Sequence, residues 1–319
     1  MTVYVVRRIA AAAGVLLLDV VLIFSLIHFT PGDPARLIVG DERGGSANVD
    51  KVREQLGLNR PLPAQFAAYI AGLVRGDMGR SFFSREPVFD MLASRVPLTL
   101  ALAIISLVIG LAVALPTGVL AAVKRGSIWD QAFMLLAMLG VSMPSFWFAT
   151  VLMLVFAVAL GWFPVVGYAT FTDSPGRWLW HLVLPATAIG VAQAALTARM
   201  TRASLLEVLR LDYVTLTARA KGLPEWRVIL KHALANAAFP IVTIVGMNFA
   251  FLLGGVVIIE TVFALPGVGS LLINSVARRD YHVIQGVLLF VAAANVMMNL
   301  VVDLSYVVID KRVRYGAAT

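Results

Sequence analysis

Residues 98–122 read LTLALAIISLVIGLAVALPTGVLAA, an unbroken run without one charged side chain. At ~1.5 Å of rise per helical residue, such a run exceeds the ~20 residues needed to cross a ~30 Å hydrocarbon core. Five further apolar runs of comparable length follow the same rule, at 9–29, 132–160, 181–203, 237–259 and 284–309. None shows the ten-residue alternation of an outer-membrane barrel strand. Helices satisfy every backbone polar group internally, so the expected fold is all-α: a polytopic bundle of six transmembrane helices. Composition agrees, because 60% of the 319 residues are hydrophobic and 14% charged, whereas soluble domains carry roughly 45–50% and about 25%. Mean hydropathy is +0.88.

A net charge of +8 and a pI near 10.1 would suit a nucleic-acid binder only if the basic residues shared one water-facing surface. They are instead distributed by side. With both termini cytoplasmic, fourteen of the 26 Lys and Arg fall inside against five acids, and twelve fall outside against eleven acids. Nine of those twelve lie in residues 30–96, a loop long enough to be translocated regardless of charge. The positive-inside rule therefore predicts cytoplasmic termini. Arg7 and Arg8 precede the first apolar run as in a secretory leader, but that run is about twice the usual h-region. Ile27, His28, Phe29 and Thr30 offer no small-x-small cleavage site, so a retained anchor is expected.

The domain plan that follows is a tail and first helix at 1–29, an extracytoplasmic region at 30–96, a five-helix core at 97–310, and a cytoplasmic tail at 311–319. In the outer region, turn signals at Pro31-Gly32-Asp33-Pro34, Gly44-Gly45-Ser46 and Gly57-Leu58-Asn59-Arg60-Pro61 separate short amphipathic patterns at about 49–56 and 62–75, which predicts helical lobes. This region either covers the bundle or docks an external partner. The cytoplasmic loop 204–233 carries Leu205, Leu209 and Leu216 at helical spacing. Gly222 can end one helix and Pro224 with Glu225 can open the next. The apolar stripe of that helix pair needs cover, either the membrane interface or a groove on a partner protein.

Cysteine is absent, which excludes disulfides, thiolate metal sites and a cysteine nucleophile. None of the lysines Lys51, Lys124, Lys221, Lys231 and Lys311 follows a glycine, so there is no phosphate loop. No His is followed by Glu, and no G-x-S-x-G elbow occurs. Catalytic, cofactor and metal residues are therefore expected to be none. Two acids lie within apolar runs: Asp19 near the middle of the first and Asp303 in the cytoplasmic third of the last. Each either lines a polar route or makes an interhelical bond or a pair with a cytoplasmic-end Arg. Pro116, Pro144, Pro185 and Pro240 interrupt apolar runs and mark bends or cavity walls. Met247, Phe249 and Phe251 either face a route or pack.

The segment Asp212-Tyr213-Val214-Thr215-Leu216-Thr217-Ala218-Arg219-Ala220-Lys221-Gly222-Leu223, followed by Pro224, His232-Ala233-Leu234-Ala235-Asn236-Ala237 and Pro240, resembles the coupling loop of dipeptide/oligopeptide permeases of ABC importers. The general importer signature is Glu-Ala-Ala, three residues, then Gly. Aligned on Gly222, the Glu and first Ala fall on Leu216 and Thr217, while Ala218 and Gly222 are kept. Ala-Arg-Ala-Lys-Gly is the core of the peptide branch. Further matches run in order along nearly the whole chain: Gly76-Asp77-Met78-Gly79 with Ser81, Pro144-Ser145-Phe146-Trp147, Thr201-Arg202-Ala203-Ser204, Glu260-Thr261-Val262-Phe263, and Asp310-Lys311-Arg312-Val313-Arg314-Tyr315.

The resemblance implies a type I importer permease, its long outer loop matching the first of two permease subunits, in the inner membrane of a prokaryote. By implication its partners are a related permease, two ATP-binding subunits that hold ATP and Mg, a solute-binding protein and membrane lipid, with no nucleic acid. It implies alternating access for di- and oligopeptides, with ATPase coupling through Asp212, Tyr213, Thr217, Ala218, Arg219, Ala220, Lys221, Gly222, Leu223 and Pro224. Arg75, Arg80 and Arg85 in the outer region are candidate binding-protein contacts. Glutathione, nickel or haem are competing cargoes for the same architecture. A stand-alone secondary transporter would need internal repeats and several intramembrane charges, and a membrane enzyme a convergent polar set.

Overall fold

In the computed structural model the described residues are 2–29, 35–36, 46–55, 58–211 and 223–309. They form helices α1 (Thr2–Phe29), α2 (Ser46–Gln55), α3 (Leu62–Val74), α4 (Val88–Ala93), α5 (Val96–Val123), α6 (Ile128–Ser142), α7 (Ser145–Leu152), α8 (Pro175–Val208), α9 (Leu234–Val262), α10 (Val268–Arg278) and α11 (Tyr281–Ile309). Five helical stretches are long and apolar enough to cross a membrane. The α6–α7 pair makes a sixth if it counts as one crossing. The run 132–160 is thus not one rod: α6 stops at Ser142, Met143 is extended at ψ 129, and α7 leaves at 106°. A residue before proline is pushed out of the helical region, and here that preference breaks the helix. By contrast, Pro116, Pro185 and Pro240 lie inside continuous helices. Hydroxyls buried in the spans return to carbonyls one turn back, as Ser106 does to Leu102 at 2.6 Å and Thr201 to Thr197 at 2.8 Å.

The chain divides into two compact units. The first comprises Met1–Arg8, Leu100–Leu265 and Met298–Thr319. Its centre is a seam of small residues, where Ser106, Gly110, Ala114 and Gly118 of α5 meet Gly190, Ala194 and Ala198 of α8, each series spaced by four. A Cβ on Gly190 would stand 2.6 Å from the Ser106 carbonyl oxygen, and one on Gly118 would stand 2.7 Å from that of Ala198. Lipid is as apolar as a leucine side chain, so close backbone approach is what drives helices together here. α9 packs along α8, with the Asn248 amide donating to the Thr197 hydroxyl at 3.2 Å.

The second unit comprises Ile9–Thr99 and Pro266–Met297. One core joins Val88 and Leu92 of α4, Val268 and Leu271 of α10, and Val283 and Val287 of α11. α10 lies outside the six runs. Its i, i+3, i+7 pattern of buried Val268, Leu271 and Ser275 seats it on that core, and the Val268 amide donates to the Thr99 hydroxyl at 2.9 Å. A second core sets α3 on α1: Val20, Ile23 and Leu289 pack with Phe66, Ile70 and Leu73, and Phe24 meets Phe66 edge-on at 5.2 Å. α2 and α3 realise the amphipathic patterns at 49–56 and 62–75.

Candidate functional site

Asp212 to Gly222, with Tyr213, Thr217, Ala218, Arg219, Ala220 and Lys221 between them, lie outside the described residues. Both flanks are described. α8 continues without a break to Val208 as one 34-residue helix with Pro185 inside it. On the return side, Leu223 leads to Pro224, which opens a helical turn at Glu225–Arg227 with Glu225 at its start. A π-helical turn, Val228–Ala233, then feeds α9. Fully buried Val228 packs on Val208, Leu209 and Leu223, so the two flanks meet at one apolar contact. Below it Leu205, Ile229, Ala233 and Ala237 continue the core into the bundle with Ala122 of α5.

The same end of the first unit holds a tight ion pair. Ser127 caps α6, its hydroxyl accepting from the Asp130 amide at 3.3 Å. The Asp130 carboxylate, on a residue only 4% exposed, accepts from Arg202 Nε at 2.6 Å, from Arg202 Nη2 at 2.8 Å and from the Gly126 amide at 3.0 Å. A two-point Arg–carboxylate contact fixes orientation as well as distance. It straps the start of α6 to α8 six residues before that helix ends. Exposed Trp129 and Trp226 flank this region, Lys124 lying 5.7 Å from the first ring centroid and Arg227 5.1 Å from the second. Indoles with adjacent cations are typical of a membrane–water boundary.

In the second unit, residues 76–88 form a closed clasp. The Ser81 amide donates to the Glu86 carbonyl at 3.0 Å and the Val88 amide to the Gly79 carbonyl at 3.0 Å. Asp280, buried, accepts from the Ser81 hydroxyl at 2.5 Å. His282 Nδ1 stands 2.9 Å from the Arg80 carbonyl, and its ring stacks on Phe82 at 4.7 Å. Arg80 Nη1 donates to the Arg85 carbonyl at 3.2 Å. The clasp tip presents exposed Phe83 and Arg85, and Arg85 adopts a left-handed φ of 64°.

Asp303 makes an ion pair with Arg8 at 2.8 Å. The pair lines a 260 Å³ cavity with Thr243, Gly246, Met247, Asn299 and Val302. Asp19, in the second unit, is half-buried.

Two sequence families cover this chain. Residues 1–103 match the N-terminal component of binding-protein-dependent transport system membrane proteins, and residues 114–315 match the binding-protein-dependent transport system inner membrane component family. The chain belongs to that family. This permease is 44% identical over 316 residues to a protein described as a peptide transport system permease of Brucella abortus (strain 2308), covering 99% of the chain and 100% of the relative. It is 40% identical over 315 residues to one described as a peptide ABC transporter permease of Sinorhizobium fredii, covering 99% and 100%. It is 45% identical over 312 residues to the glutathione transport system permease protein of Escherichia coli (strain K12), covering 98% and 99%. It is thus an ABC importer permease, a multi-pass protein of the inner membrane.

Of the residues expected to matter, the permease brings together Arg80 and Arg85 in the clasp and joins Leu223 to the α8 end through Val228. Arg75 is exposed at the end of α3. Asp303 has an Arg partner, Arg8. The sequence alone does not pair Asp130 with Arg202, which enter it as a loop charge and as part of the Thr201-Arg202-Ala203-Ser204 match. A signal existed: an acid three residues after a capping Ser, and an arginine inside an apolar helix, each need a partner. Glu260, of the Glu260-Thr261-Val262-Phe263 match, is fully buried in the last turns of α9.

Proposed function

We propose that this permease moves peptides, delivered by a solute-binding protein, by alternating access driven by two separate ATP-binding subunits that hold ATP and Mg. In this reading it pairs with a related permease, and both termini are cytoplasmic. The observation that carries it is the convergence of α8 and the Leu223–Val228 segment on one apolar contact beside the Asp130–Arg202 strap. Force applied at 212–222 then reaches α8 at its end and, through the turn Val228–Ala233, α9. Asp212, Tyr213, Thr217, Ala218, Arg219, Ala220, Lys221, Gly222, Leu223 and Pro224 form the surface that enters the ATPase groove. Similarity to peptide permeases along 99% of the chain supports the cargo class. Glutathione, itself a tripeptide, is the second reading, favoured by the 45% identity to a glutathione permease.

The deciding experiment is ATPase activity of the complex purified through this chain in lipid, with its binding protein and di- to octapeptides, glutathione and Ni²⁺ offered in turn. Stimulation by peptides is expected. Stimulation by Ni²⁺ alone would overturn the cargo, and absence of any co-purified ATPase would overturn the coupling surface. Gly222→Asp tests that surface directly. The added carboxylate opposes the basic character that Arg219 and Lys221 give that surface, so uptake is expected to fall by about tenfold or more at unchanged abundance.

Arg80 and Arg85 are proposed as binding-protein contacts. The clasp holds its tip rigid, and Arg85 occupies a backbone conformation that costs a non-glycine residue roughly 1 kcal/mol. Reversing both charges is expected to weaken binding-protein docking by at least about tenfold and to steepen the effect at low salt. Unchanged affinity in surface plasmon resonance would remove these residues from the interface.

A further inference from the structure

We propose that the second unit contains a phospholipid site, in which an acyl chain fills the groove between α1, α3 and α11 and a zwitterionic headgroup sits at its rim. The groove measures 730 Å³, within the roughly 300–1,000 Å³ of ordinary ligand sites. Every residue lining it is apolar, among them Leu16 and Val20 of α1, Leu73 and Val74 of α3, and Leu289 and Phe290 of α11. Such a lining offers no hydrogen bond to a peptide cargo and matches hydrocarbon.

α3 supplies the second argument. Its 13 residues span about 20 Å, too short for a ~30 Å crossing. Yet Gln65 and Tyr69 are its only side chains with polar atoms, and Leu62 and Val74 are 56% and 83% exposed. Arg60 precedes the helix and Arg75 follows it. An apolar, non-spanning helix bracketed by cations is built to lie in a membrane interface. Exposed Phe89, also a lining residue, extends the apolar face.

Charge chooses the headgroup. Next in sequence to lining residues stand Arg75 after Val74, Arg95 before Val96, Asp90 after Phe89, and Asp77 before Met78, the Asp77 carboxylate also accepting from the Gly79 amide at 2.9 Å. Two guanidinium groups suit a phosphate, and two carboxylates suit an ammonium. A phosphoethanolamine carries both, whereas an anionic glycerol headgroup satisfies only the arginines. The inference rests on the outer placement of residues 30–96. That placement has its own test, because the chain has no cysteine: a Ser84→Cys variant in intact cells should react with a membrane-impermeant maleimide.

The probe is the assembled complex in vesicles of phosphatidylethanolamine and phosphatidylglycerol, with a diazirine-bearing acyl chain on one lipid at a time. Photolabelling by the ethanolamine lipid is expected to concentrate in residues 62–78 and 88–97. Filling the groove with Ala13→Trp or Ala293→Trp, two independent variants on different helices, should cut that labelling about tenfold. Arg75→Ala with Arg95→Ala should cut it by a similar factor through lost charge-assisted hydrogen bonds. Labelling spread evenly over the lipid-facing helices, or indifferent to the tryptophans, overturns the site. Equal labelling by the two lipids overturns the headgroup assignment. A diazirine amino acid at Leu73 that captures the second permease subunit instead of lipid overturns the occupant.

Discussion

Arg202→Ala is expected to destabilise the permease by about 3 kcal/mol, roughly a hundredfold in the folding equilibrium, because it leaves a buried carboxylate without its counter-ion. Asp130 is 4% exposed, and the Arg202 side chain 26%. That partial exposure places the effect at the lower end of the range for broken buried pairs. The Gly126 amide would remain as a donor to Asp130, and one neutral hydrogen bond does not replace two charge-assisted ones. Asp130→Asn keeps shape and capping geometry but removes the charge, so it is expected to cost less. Replacing both residues by apolar ones of similar size is expected to recover much of the loss, since breaking a buried pair costs more than deleting it. Thermal midpoints of the wild-type, two single and double variants in nanodiscs provide the cycle. Additivity within about 0.5 kcal/mol would show that the two residues act independently. If the strap also transmits force, transport should fall further than the surviving folded fraction explains.

Gly190 carries the second large effect. Its missing Cβ would lie 2.6 Å from the Ser106 carbonyl oxygen and 3.1 Å from the Gly110 nitrogen. Both obstacles are backbone atoms of α5, which can yield only by moving the whole helix away. Gly190→Ala is therefore expected to cost about 2–3 kcal/mol, as overpacking of a tight core does. Gly190→Leu should leave no folded permease in the membrane fraction. Gly254 provides the control on α9, because a Cβ there meets nothing within 4 Å. Gly254→Ala is expected to leave the midpoint unchanged or raise it slightly, since alanine favours the helix by roughly 0.5–1 kcal/mol. A Gly190→Ala variant as stable as the Gly254→Ala variant would show that the α5–α8 seam has room for a methyl group.

Much of this architecture could be read without coordinates, for a simple reason. Crossing hydrocarbon demands length and apolarity, and both are properties of a linear string, so the runs at 98–122 and 284–309 map directly onto α5 and α11. α2 and α3 were legible because turn residues delimit them. α10 was not, because eleven residues with one apolar face become a helix only against the Val88–Val283 core. Proline shows the limit more sharply. Four prolines interrupt apolar runs, and one of them, Pro144, breaks the rod by 106°. Each removes a single backbone hydrogen bond, and whether the helix survives depends on what packs around the gap.

The candidate site divides in the same way. Gly222 and Pro224 are legible as helix-stop and helix-start signals by local backbone chemistry, which needs no neighbours. Composition and spacing alone settled that this is a multi-pass helical membrane protein without phosphate-loop or thiolate chemistry. Tertiary structure alone decided that Asp130 meets Arg202 across 72 positions of sequence, that Asp303 meets Arg8, and that the clasp at 76–88 closes on Asp280 and His282. A charge in sequence is only a demand for a partner. Which partner answers depends on which helix faces come within hydrogen-bonding distance, and that is set by close-packed glycines and alanines whose consequence appears only in three dimensions.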